Sequence, residues 1–187
     1  MRNSLRTIVR GALAGVAGTV VMTVARTGIE RASLHWWEKR ESEWEHLVRV
    51  QARRAGRRPS RSAIRRAGFA AHIAYGAAWG ALYATVAARP KPAAATDDAS
   101  AQPARRRPPL ADAIGLGAVC YLANYARWGV MPVLGVLPPD TERPFRLARI
   151  PIATHAVFGV ATVAAYRALR GAGRDGSPHL ARGSASG

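Results

Sequence analysis

Cysteine occurs once in the 187 residues, at Cys120, and lysine only twice. A single thiol forms no disulfide within a chain and offers no metal-ligand spacing, so Cys120 reads as a small apolar packing residue. Acid is scarce as well: 11 Asp and Glu stand against 28 basic residues, for a formal charge of +17. The long apolar stretches hold almost none of that acid, with Asp112 at the start of one of them as the exception. Without carboxylates beside a nucleophile or beside each other, a Ser-His-Asp or paired-carboxylate mechanism has no basis. There is no phosphate-cradling GxxxxGK[ST] loop and no dinucleotide fingerprint set between a strand and a helix. The chain therefore names no catalytic residue, no metal site and no cofactor.

What it has instead is four stretches rich in Ala, Gly and Val, near residues 8–26, 67–88, 111–131 and 150–169. A hydrocarbon slab about 30 Å thick takes about 20 helical residues to cross. Each stretch meets that length, which predicts an all-α, four-transmembrane-helix bundle over residues 1–170. A soluble Ala-rich helical bundle is the alternative. The first stretch follows Arg2, Arg6 and Arg10 and mimics a signal peptide, but three further spans make an uncleaved anchor the better reading. A charge of +17 raises nucleic acid as a partner. The arginines cluster beside the apolar stretches, however, and no base-reading motif accompanies them. Arg at helix ends, its stem snorkelling to anionic headgroups, accounts for the pattern, so the expected partner is the lipid bilayer and not nucleic acid.

The connection between spans one and two has its own signal. Trp36, Trp37, Trp44, Leu47 and Val48 recur at helical spacing. Acidic residues come first and Arg49, Arg53 and Arg54 last, which suits the helix macrodipole, and Glu45–Arg49 is a favourable i,i+4 pair. These features predict an amphipathic interfacial helix near 29–56, anchored by Trp36, Trp37 and Trp44. A helix packed on the bundle, or a continuation of the first span, fits the same periodicity. Pro59 ends it, and Ser60 or Ser62 can cap the next helix. Residues 89–109 read as a Pro- and Ala-rich linker, and 171–187 as a disordered tail. Pro151 sits where a first helical turn tolerates proline. Basic residues divide about equally between the two sides of a four-span topology, so the positive-inside rule gives no orientation.

Lipid tails are as apolar as Leu, so helices in a bilayer associate through close backbone contact. Gly11 with Gly15, Gly76 with Gly80, and Ala113 with Gly117 are small-xxx-small pairs. They predict tight packing, or else a homodimer face. An ungapped internal repeat places His72, Tyr75, Gly76 and Tyr83 opposite His155, Phe158, Gly159 and Tyr166. Spans two and four then run in the same direction, with each His about 8 Å below its helix start. Span three runs back towards that level with Asn124 and Arg127, and span one ends there with Arg26. One leaflet is expected to gather His72, His155, Asn124, Arg127 and Arg26. Interhelical hydrogen bonding, a proton or ion path, and metal or haem ligation by the two His are the competing roles.

This layout resembles the YagU-type small inner-membrane proteins of bacteria. The shared features are a Gly-rich first span, a His near the start of the second, a third span closing in MPVLGVLPP, and a Gly- and His-bearing fourth span before a basic tail. The resemblance covers the four spans, about half the chain, and leaves the Trp- and Arg-rich 27–66 connection unmatched. It implies a multi-pass protein of the bacterial inner membrane, without an agreed activity or catalytic residues and linked in some members to acid stress. The expectation is a non-enzymatic structural or stress-related membrane component. The alternative is a small transporter or channel subunit working through the His-containing cluster.

Overall fold

A computed structural model describes residues 2–33, 41–89 and 109–172, and among these every regular element is helical. The elements are α1 (Arg2–Ser33), α2 (Glu43–Arg54), α3 (Arg61–Ala87), α4 (Pro109–Tyr125), α5 (Val130–Val133), a 3-10 turn (Asp140–Glu142) and α6 (Phe145–Gly171). The long helix α1 packs between α3 and α6; α4 packs on the other side of α6, and α2 rests on α3.

Glycine sets the helix spacing. A Cβ on Gly15 would run into the carbonyl of Gly76, and one on Gly80 into the backbone of Gly11 and Gly15. Across the bundle, a Cβ on Gly117 would meet the His155 carbonyl, and one on Gly159 the Ala113 carbonyl. Gly11, Gly15, Gly76, Gly80 and Gly117 of the small-xxx-small pairs, and Gly159 of the repeat, are thus buried in contacts within one chain.

Several boundaries differ from expectation. Residues 29–33 extend α1 rather than opening an interfacial helix; Trp36 and Trp37 lie outside the described residues, and α2 begins only at Glu43. Ser42 caps α2 by accepting from the Glu45 amide at 3.2 Å, and Ser60 caps α3 by accepting from the Ala63 amide at 3.3 Å. Arg49 pairs with Glu41, before the helix, and not with Glu45. Glu45 instead lies against the backbone position of Gly68 on α3. The third helix does not run to residue 131. It stops at Tyr125, and the chain doubles back so tightly that a Cβ on Gly129 would strike the backbone of Asn124. The fourth helix starts earlier, at Phe145 after Pro144, so Pro151 lies inside α6 and not in its first turn. The linker and tail expected at 89–109 and 171–187 fall almost wholly outside the described residues.

Among the described residues two helices are long and apolar enough to cross a membrane: Asn3–Ala32, with mean hydropathy 1.7, and Leu147–Gly171, with mean hydropathy 1.5. α4 has 17 residues, short of that length, and α3 is interrupted by His, Tyr and Trp. The outer surface is nonetheless apolar on all four long helices. Val20 and Val24 on α1, Leu82 on α3, Ile114 and Val119 on α4, and Val160 on α6 are all exposed. No formal charge falls within residues 11–25, 67–88, 113–126 or 150–166. The glycine contacts hold these charge-free runs side by side. Arg6, Arg10, Arg89, Asp112, Arg167 and Arg170 gather at one end, and Arg26, Arg65, Arg66, Arg127 and Arg149 at the other.

Candidate functional site: a polar chamber at one end of the bundle

The end that carries Arg26 encloses a cavity of about 30 Å³, room for a water or two. Every helix contributes to its wall. α1 supplies Thr19 and Arg26, α3 His72 and Tyr75, α4 Asn124 and Tyr125, and α6 Thr154 and His155, while Met131 of α5 and Trp44 of α2 close it.

Its centre is a chain of hydrogen bonds that begins at the Pro151 carbonyl. Within α6 the Pro151 carbonyl accepts from the His155 Nδ1 at 2.7 Å and from the Thr154 hydroxyl at 3.2 Å. A carbonyl only accepts, so Nδ1 carries the imidazole proton and Nε2 is the acceptor. The Asn124 amide donates to that Nε2 at 3.3 Å and to its own Cys120 carbonyl at 3.1 Å. The remaining Asn124 oxygen is buried and has no partner among the described residues. The Tyr125 ring meets His155 edge-on, with centroids 5.5 Å apart. Thr19 returns its hydroxyl to the Gly15 carbonyl at 2.9 Å, a bond within its own helix.

His72 sits differently. Its ring stacks on Trp44 at 5.3 Å between centroids, and no hydrogen-bond partner meets it among the described residues. Trp44 also tilts against Tyr75 at 5.1 Å. The expected interfacial anchor is therefore turned inward, and with Leu47 it packs on the cluster of Tyr125, Met131 and Val136. Outside the stacked pair lies an open cleft that shares Arg26, Trp44 and His72 with the chamber and is flanked by Arg65 and Arg66.

Arg26 locks the mouth. Its guanidinium takes Glu43 in a two-toothed grip, Nη2 to Oε1 at 2.9 Å and Nη1 to the other oxygen, while Nε binds Glu30. The Glu43 side chain is 9% exposed and that of Arg26 25%. Burial alone pushes the Glu43 carboxyl up, but the charge and hydrogen bonds of Arg26 outweigh it and hold the group below the ordinary glutamate range.

Of the residues expected at this level, His72, His155, Asn124 and Arg26 come together around one cavity. Arg127 does not. It is exposed in the turn after α4, because the helix ends two residues before it. Tyr125 and Thr154 line the chamber, Glu43 pairs with Arg26 at its mouth, and none of the three was singled out by sequence. Tyr125 and Thr154 each adjoin a residue that was, which is the available signal; Glu43 gave none beyond its place in the acidic start of α2. Among the described residues no group of three or more His, Cys, Asp and Glu is placed to hold a metal ion. The four repeat positions fall at matching levels of the bundle, though the two His differ in their partners. His72 and His155 line the chamber with Tyr75 and Phe158, Gly76 and Gly159 sit at helix contacts, and Tyr83 meets Tyr166 edge-on at 5.5 Å.

Compared with family models, with curated proteins and with solved structures, the chain matches none, so its likeness to the YagU-type proteins stands on the residues quoted for it.

Proposed function

We propose that this chain is a four-span, multi-pass protein of the bacterial inner membrane, a non-enzymatic structural or stress-related component whose polar chamber ties the helix ends of one leaflet together. The observation that carries the reading is the aligned set of charge-free runs with exposed Val, Leu and Ile on all four long helices. Such a belt would be an aggregation liability in water and is the ordinary surface of a helix in lipid. Sixteen residues separate Arg10 from Arg26, about 24 Å of helix, and the long Arg side chains extend that span to the headgroups. The chamber suits a structural role because most of its polar groups are already engaged: both His155 nitrogens, the Asn124 NH2, the Thr19 and Thr154 hydroxyls on carbonyls of their own helices, and Arg26 on Glu43.

A second reading, a proton or ion path, is favoured by His72. It lies between the chamber and the outer cleft with no hydrogen-bond partner among the described residues, and the Asn124 oxygen, likewise without one among them, lies in the chamber wall. Against a through-path, α1 and α3 close on each other beyond Thr19 and Gly76 through backbone contact at Gly15, Gly80 and Gly11. Purified protein in liposomes tests both readings. The structural role expects proton and cation flux no greater than in empty liposomes. Flux well above that level, lost when His72 and His155 are both replaced by Phe, would establish the conducting role instead.

A further inference from the structure

The opposite end of the bundle holds a second concavity, a cleft of about 340 Å³ between the start of α1, the end of α3 and the last turns of α6. Arg6, Arg10 and Arg170 line it, with Asn3 and Thr7 beside them. Arg6 and Arg10 stand one helical turn apart on the same face, an arrangement of like charges that costs stability by itself. Among the described residues no carboxylate pairs with any of the three. The nearest acid on α4, Asp112, is taken by Arg167 at 3.4 Å. α1 also begins with no acidic residue in its first turn, so its positive end meets further positive charge. Arg170 is held in place rather than free: its guanidinium lies over the Tyr166 ring, 5.8 Å from the centroid. Tyr166 is 3% exposed, and its hydroxyl reaches the Ala84 carbonyl of α3 at 3.5 Å.

Three guanidinium groups line one cleft, two from one helix and one from another, and among the described residues no anion offsets their repulsion. We propose that this cleft binds the phosphate of an anionic phospholipid, with Arg6, Arg10 and Arg170 as its cationic wall and its acyl chains lying along the apolar belt. The inference rests on the membrane reading. A lipid is favoured over free phosphate because exposed apolar side chains adjoin the lining residues along the same helices, Leu5, Val9 and Leu13 beside Arg6 and Arg10 on α1 and Val86 beside Ala87 on α3. A lipid joins a phosphate to an apolar chain across that same boundary. Arg is the side chain suited to such a site, since its planar fork matches phosphate oxygens in pairs.

The full chain is reconstituted in nanodiscs containing equal parts of phosphatidylglycerol and phosphatidylcholine, released into mild detergent, and its retained lipids are weighed by native mass spectrometry. Wild type is expected to keep phosphatidylglycerol over phosphatidylcholine by on the order of tenfold or more. The triple variant Arg6→Gln, Arg10→Gln, Arg170→Gln should lose the preference. A control with the same charge change, Arg57→Gln, Arg58→Gln, Arg61→Gln, should keep it. Equal retention by wild type and the triple variant, or equal loss in the control, overturns the site. Displacement of the lipid by millimolar inorganic phosphate, with phosphate itself retained, overturns the lipid as its occupant. Melting curves matched to wild type show that a variant is folded; a misfolded triple variant is replaced by the single Arg10→Gln, for which a severalfold weaker preference is expected and an unchanged one counts against the site. Failure of the membrane reading is distinct, because wild type would then not enter nanodiscs at all.

Discussion

Arg26 and Glu43 carry opposite charges where neither is well hydrated, and removing one strands the other. Replacing Arg26 by Gln should cost about 3 kcal/mol, the lower end for breaking a buried pair because Arg26 keeps a quarter of its side chain exposed. The loss would appear as a lower melting temperature and as a red shift of Trp44 emission in a chain whose other tryptophans are Phe. Acid should act in the same direction. The Glu43 carboxyl is held low when α2 is docked, so the stability it lends is complete above the ordinary glutamate range and fades as pH falls through that lowered value. Glu43→Gln should flatten that acid limb, and a Trp44 emission profile unchanged by the substitution would show that the pair does not govern docking. The histidines and Asn124 could be read from the chain because span direction and depth alone put them at one level. Glu43 could not. It lies 17 residues from Arg26 across a connection whose path is set by how Trp44 and Leu47 dock, and no periodicity encodes that.

At the scale of the helix, glycine positions separate contacts from open surface. Gly15→Val should cost about 3 kcal/mol or prevent folding, since its Cβ has only the Gly76 carbonyl to enter. Gly28→Ala, on the same helix with nothing within 4 Å, should leave packing untouched and raise stability by about 1 kcal/mol through helix propensity. Thermal unfolding of the two variants in one detergent compares them directly. The small-xxx-small pairs were legible as packing positions, but not which helix each would meet or that all would be used within one chain. Helix ends were less legible. Pro144 and the fold-back at Gly129 overrode the hydrophobic pattern, shortening the third helix and lengthening the fourth. That is why Arg127 left the cluster while Pro151 entered it as the acceptor that orients His155. The Trp-bearing helix was recognised as amphipathic, but amphipathicity does not distinguish a lipid interface from a protein groove, and Trp44 found the groove.

For the whole molecule, the surrounding solvent is the quantity to measure. Val20→Arg or Val160→Arg places a charge in the middle of the exposed belt. In a bilayer each should cost about 3 kcal/mol and sharply reduce the yield of membrane-inserted protein, whereas on a water-facing surface either would be close to neutral. Fractionation of cells expressing each variant decides between the two. The order of the elements along the chain adds a constraint of its own. Of the described helices α1 comes first in the chain, yet one of its two packing faces, the one bearing Gly18, meets Phe158 and Thr162 of α6, the helix furthest from it in sequence among the described residues. A nascent chain halted before residue 145 would leave that notch uncovered and His155 missing from the chamber. Such a fragment would be half-assembled, because α1 is sealed on both sides only once α6 has been made.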